Sequence, residues 1–142
     1  MDEVVFDSRN GVRLTLTPAP PAYAGAMTFW QAQLVGSGLE ATVICAQADW
    51  QPPPSLAEFL ADLDANSQGW EGDRSWVSSE GELRLTARHD KTNTVLVDVE
   101  MDQAAPPGWR CTAELELSPG VFRGMAADAR RIITAWQAEY RT

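Results

Sequence analysis

Apolar residues at every second position recur through most of this 142-residue chain, and no other feature constrains its fold as tightly. A strand sends successive side chains to opposite faces, so a two-residue apolar period marks a half-buried strand. Val12, Leu14 and Leu16 alternate after Asn10-Gly11, a dipeptide that tolerates positive φ in a tight hairpin turn. MTFWQAQLV and LEATVICAQADW form two strands around Gly36-Ser37-Gly38, and Leu39, Ala41, Val43 and Cys45 share one face of the second. Three further strands read GELRLTARH, TVLVDVEM and WRCTAELEL, joined by HDKTN and DQAAPPG, which predicts an antiparallel meander.

Two stretches switch to the helical period. After the prolines of QPPPSLAEFLADLDANSQG, Ser55 stands three residues before Glu58, the spacing of a capping box, and Leu56, Phe59, Leu60 and Leu63 form an apolar stripe. Near the end, Ser118 and Pro119 fit N-cap and N1 positions. Val121, Phe122, Met125, Ala129, Ile132, Ile133, Trp136 and Tyr140 then recur at steps of three and four. The order β-β-β-β-α-β-β-β-α predicts an α+β fold in a single domain over residues 1–142. It would have one mainly antiparallel sheet of six to seven strands, with two helices packed on one face. No internal repeat stands out.

The acids are unevenly spread. The formal net charge is −9, and residues 40–102 carry thirteen acids against four bases. Asp49, Glu58, Asp62, Asp64, Glu71 and Asp73 fall in 49–73, a segment without a base. Such a field repels phosphate, which argues against nucleic-acid binding, and it attracts a basic protein. The chain opens on acids rather than a signal sequence, and no apolar run approaches the ~18 residues of a membrane span. A cytoplasmic protein is expected, with Cys45 and Cys111 as buried thiols and a disulfide between facing strands as the rival.

Motifs for chemistry are sparse. His89-Asp90 in the HDKTN turn is half of a triad, but no Gly-x-Ser-x-Gly elbow accompanies it, and a solvated turn histidine is the plainer expectation. One imidazole, no Cys-x-x-Cys and no EF-hand loop predict no metal, and nothing in the chain points to a cofactor. Asp98 with Glu100, and Glu114 with Glu116, each place two carboxylates about 6.6 Å apart on one strand face, a spacing that alternation produces routinely. Arg84, Arg88 and Arg110 share that face, where a solvated ladder of mixed charge is the bland expectation.

The segment GWEGDRSW sets Trp70 and Trp76 among glycines and charges. Gly69, Trp70, Gly72, Trp76, Ser78, Gly81, Glu82, Leu83, Leu85, His89 and Asp90 spell Gly-Trp-x-Gly, Trp-x-Ser, Gly-Glu-Leu-x-Leu and a His-Asp turn. In this pattern the chain resembles a small bacterial domain family of unknown function over about residues 45–120, and similar small domains suggest an immunity-protein-like role. The resemblance supplies no catalytic residues. Physically the two indoles read as a plug over the first helix, with Trp76 the core candidate and Trp70 an anchor for a partner.

Two functions follow as expectations. The first is a non-enzymatic acidic module that engages a basic protein through 49–73, with Trp50, Asp62, Asp64, Trp70, Glu71 and Asp73 at the contact. The alternative is a small-ligand site or weak hydrolase on the open sheet face, built from Arg84, Arg88, His89, Asp98, Glu100, Glu114 and Glu116. A homodimer through that face or an edge strand is compatible with either.

Overall fold

The computed structural model describes residues 2–23, 27–48 and 54–140. Four strands come first: β1 (Val4–Asp7), β2 (Arg13–Pro18), β3 (Met27–Gly36) and β4 (Leu39–Ala48). Helix α1 (Leu56–Ala65) follows, then β5 (Asp73–Val77), β6 (Leu83–His89), β7 (Val95–Gln103) and β8 (Trp109–Leu117). A 3-10 turn, Pro119–Val121, leads into α2 (Phe122–Tyr140). The two halves thus repeat one topology, four strands and a helix, which the sequence does not advertise.

The single sheet expected from the sequence is not formed. The strands make two separate antiparallel sheets, β1-β2-β3-β4 and β5-β6-β7-β8. Alternation tells which side chains face a core but not what covers them, so one sheet under two helices and two sheets facing one core read alike. The expected order also lacked β5. Its sequence, DRSWV, buries only Trp76, too little apolar content for a period to show.

One core draws on both sheets and both helices. Val4, Phe6, Leu14, Leu16, Trp30, Leu34 and Val43 come from the first sheet, and Trp76, Leu83, Leu85, Val97, Val99, Leu115 and Leu117 from the second. Leu56, Phe59, Leu60 and Leu63 of α1 and Phe122, Met125, Ala129 and Ile132 of α2 complete it, and the two helices pack on each other. Ser55 caps α1 as its spacing predicts: its hydroxyl accepts from the Glu58 N–H at 3.2 Å, and Glu58 Oε1 accepts from the Ser55 N–H. Ser118 makes no side-chain cap, and Val121 and Tyr140 are exposed, so the apolar stripe of α2 is shorter than its sequence suggests. Cys45 is buried but Cys111 only half-buried, and both are free thiols, so the inter-strand disulfide is not formed.

Among the described residues, hydrogen bonds stitch the sheets at two places. At one, the Arg9 N–H donates to the Glu116 carbonyl at 3.1 Å, and the Glu116 N–H donates to Ser8 Oγ at 2.8 Å. At the other, the Ser79 N–H in the β5–β6 turn donates to the Ala46 carbonyl of β4 at 2.8 Å.

Candidate functional site

The GWEGDRSW segment is built as a plug. Gly69 (φ +140°) and Gly72 (φ +72°) turn the chain where other residues would be strained. Trp76 is 1% exposed, and its indole N–H donates to the Pro54 carbonyl at 3.0 Å. Trp70 is 6% exposed, so the expectation of an exposed anchor there is corrected. Its ring lies edge-on to His89 with centroids 5.1 Å apart, and the Arg74 guanidinium stands 5.3 Å above it. His89 at the end of β6 and Arg74 of β5 cover the ring.

His89 is corrected as well. It ends β6 on the inward face, 4% exposed, rather than sitting solvated in the turn. Its Nε2–H donates to the Ser67 carbonyl at 2.8 Å, and Nδ1 accepts from the Lys91 N–H at 2.7 Å, the pattern of a neutral ring tying α1's exit to β6. Asp90 does not orient it. Hydrogen bonds from the Thr92 hydroxyl and N–H, then from the Thr94 N–H, hold the Asp90 carboxyl below its usual range.

The acidic segment is less bare than its sequence. Arg74 Nη1 lies 2.8 Å from Asp62, and Lys91 pairs with Glu71, so folding brings two bases to a stretch that contains none. Both pairs are solvent-exposed and hence screened by salt. Asp73 is exposed and lies opposite Arg88 in the β5–β6 register, and Asp64 is half-buried on α1. Asp49 and Trp50 lie outside the described residues.

On the outer face of the second sheet, Arg84 pairs with Glu100 at 3.5 Å and Arg110 with Asp102 at 3.1 Å. These four charges rim a small cleft of about 210 Å³. Asp98 and Glu114 stand directly opposite one another between β7 and β8, and Glu116 faces Leu96, whose other neighbour is Arg88. His89 points to the opposite face from Arg84 and Arg88, so the residues of the sheet-face alternative are not all brought together. No group of three or more metal-ligating side chains occurs among the described residues.

A site the sequence reading missed lies where the two sheets meet. A cleft of about 520 Å³ is lined by Thr42, Val43 and Ile44 of β4, by Glu80 and Glu82 of the β5–β6 turn, and by Asp102 to Ala105 at and just past the end of β7. Three carboxylates face it. Ser78 Oγ donates to Glu82 Oε1 at 3.0 Å, which fixes one of them. Just behind, burial and then the Glu82 charge push the Cys45 thiol up to about 12. In sequence, Glu80-Gly81-Glu82 is only a hairpin turn, and nothing local shows that β4 lies across from it.

No curated protein matches this chain. Among solved structures, that of the plant transcriptional regulator PBF-2 is similar in fold, with a TM-score of 0.50 at 10% identity, covering 99% of this chain and 85% of that one. At that identity the likeness concerns the fold alone. No described helix is long and apolar enough to cross a membrane. Residues 5–136 match the family model of DUF6228, and the chain belongs to this family of unknown function.

Proposed function

We propose that this chain is a non-enzymatic binding module that takes a basic protein partner, in the manner of an immunity protein set against a basic toxin. The observation that carries the reading is the convergence of Glu80, Glu82 and Asp102 on an open cleft in a chain of formal net charge −9. A cleft of this size lies within the ~300–1,000 Å³ common for ligand sites, and carboxylates around it steer and orient a cationic partner. The exposed acids Asp62, Glu71 and Asp73, with Asp64 beside them, extend the same field over α1 and the entry to β5. Asp62 and Glu71 already hold bases, as Asp102 holds Arg110, so Glu80 and Glu82 are the main attractors at the cleft. Two free thiols fit a reducing, cytoplasmic setting for such a module.

The sheet-face alternative is less well supported. Its Arg84 is neutralised by Glu100, and its histidine is spent on the core.

The test is capture from the native host at low salt, with elution in a salt gradient. Wild type is compared with Asp62→Lys/Asp64→Lys/Glu71→Lys and with Glu80→Lys/Asp102→Lys, each checked for folding by circular dichroism. A basic protein should be retained by wild type, released by moderate salt and lost most completely by the cleft variant. Equal retention by all three baits, or retention indifferent to salt, would overturn the reading.

A further inference from the structure

Strand β4 is an edge, and the direction of its unpaired backbone groups follows from two hydrogen bonds. In an antiparallel pair, the N–H and C=O of one residue point to the same side, and the side alternates along the strand. The Ala19 N–H donates to the Phe29 carbonyl at 3.1 Å, so Phe29 points its backbone toward β2 and away from β4. Its register partner on β4 is Ala46, whose carbonyl accepts from the Ser79 N–H and therefore points away from β3. The β3–β4 register runs unbroken from Met27↔Ala48 to Gly36↔Leu39. By alternation Ile44, Thr42 and Glu40 also aim their N–H and C=O groups outward. Ser79 thus caps one end of the edge, and the next residues along it, Ile44 and Thr42, open onto the acid-lined cleft.

We infer that this edge is a strand-addition site, which accepts an extended, lysine- or arginine-rich segment of the partner protein as a fifth strand beside β4. The inference rests on the basic-partner reading and specifies how that partner is held. Glu40 to Ile44 spans four strand steps, about 13 Å, and offers a ladder of main-chain donors and acceptors. Ile44 is 44% exposed and gives the added strand an apolar neighbour. Glu80, Glu82 and Asp102 select cationic side chains along it. A second copy of this chain is the poorer occupant, because edge-to-edge pairing would oppose its own acids to these. An open edge of this kind is otherwise a liability that proteins tend to block.

The probe is an alternating Lys-Val octapeptide, compared with its backbone N-methylated analogue, which keeps the charge but loses the donors, and with a Glu-Val octapeptide. The Lys-Val peptide should bind at low salt, and N-methylation should weaken it by about tenfold or more, as loss of two main-chain hydrogen bonds implies. Amide exchange at Thr42 and Ile44 should slow on binding, while Val43, already turned to β3, should not change. Ile44→Pro removes one outward N–H at an edge position that tolerates proline, and it should lose binding while keeping its circular dichroism. Equal binding of the methylated and unmethylated peptides, no binding of either, or unchanged exchange at Thr42 and Ile44 would overturn strand addition. A dimer in sedimentation that Ile44→Pro dissociates would overturn it in favour of a second copy. Equal binding of the Glu-Val peptide, with slowed exchange at the same two amides, would support strand addition and sink the basic-partner reading alone.

Discussion

Both indoles of GWEGDRSW are buried, but only Trp76 hands its N–H to an acceptor; the buried Trp70 N–H finds none among the described residues. An unmet buried donor costs about 1–3 kcal/mol, whereas a satisfied one contributes about 0.5–1.5 kcal/mol. Trp70→Phe removes the unmet donor along with some packing, and Trp76→Phe removes a working hydrogen bond along with similar packing. Trp76→Phe should therefore lower the unfolding free energy in urea by about 1.5–4.5 kcal/mol more than Trp70→Phe. Equal costs would mean that the Trp70 N–H finds a partner in solution. The choice of these two residues was legible in the sequence, because tryptophan between glycines and charges is out of place on a plain loop. The core role of Trp76 was legible too, but that of Trp70 was not, since it is covered by His89 and Arg74, which stand nineteen and four positions away.

At the scale of elements, local codes worked where they are strong. The capping box of α1 sits where Ser55 and Glu58 place it, and Ser55→Ala should cost about 0.5–2 kcal/mol, read as a lowered midpoint in urea with an unchanged slope. The hairpin at Asn10-Gly11 and the inward face of Leu39, Ala41, Val43 and Cys45 were legible for the same reason, turn chemistry and a two-residue period. Strand β5 was not. Asp73, Arg74 and Ser75 carry no apolar signal, and the strand exists because β6 supplies its ladder partners from Trp76↔Leu85 to Asp73↔Arg88. Likewise Ser118 looks like a cap, yet its hydroxyl accepts from Arg9 at 2.6 Å, a residue more than a hundred positions earlier.

At the scale of the whole molecule, the two sheets are held by a shared core and by the seam of the β1–β2 turn along β8. Ser8 is buried there, and Asn10 Nδ2 donates to the Glu114 carbonyl at 2.8 Å. Ser8→Ala leaves the Glu116 N–H without its acceptor and should destabilise the protein by about 1–3 kcal/mol, with amide exchange quickening along β8 before it does along β6. Uniform quickening would show that the seam does not hold β8 locally. What the sequence determined by itself is what short range can encode: which residues face inward, where α1 begins, where the chain turns, and how much negative charge it carries. The division into two sheets was decided only by tertiary structure, because alternation is blind to what packs on a face. The same holds for the pairing of Asp62 with Arg74 and Glu71 with Lys91. It holds too for the cleft, where β4 meets Glu80, Glu82 and Asp102. Those residues come together because the edge strand of one sheet and the turn end of the other, far apart in the chain, must close around one apolar core.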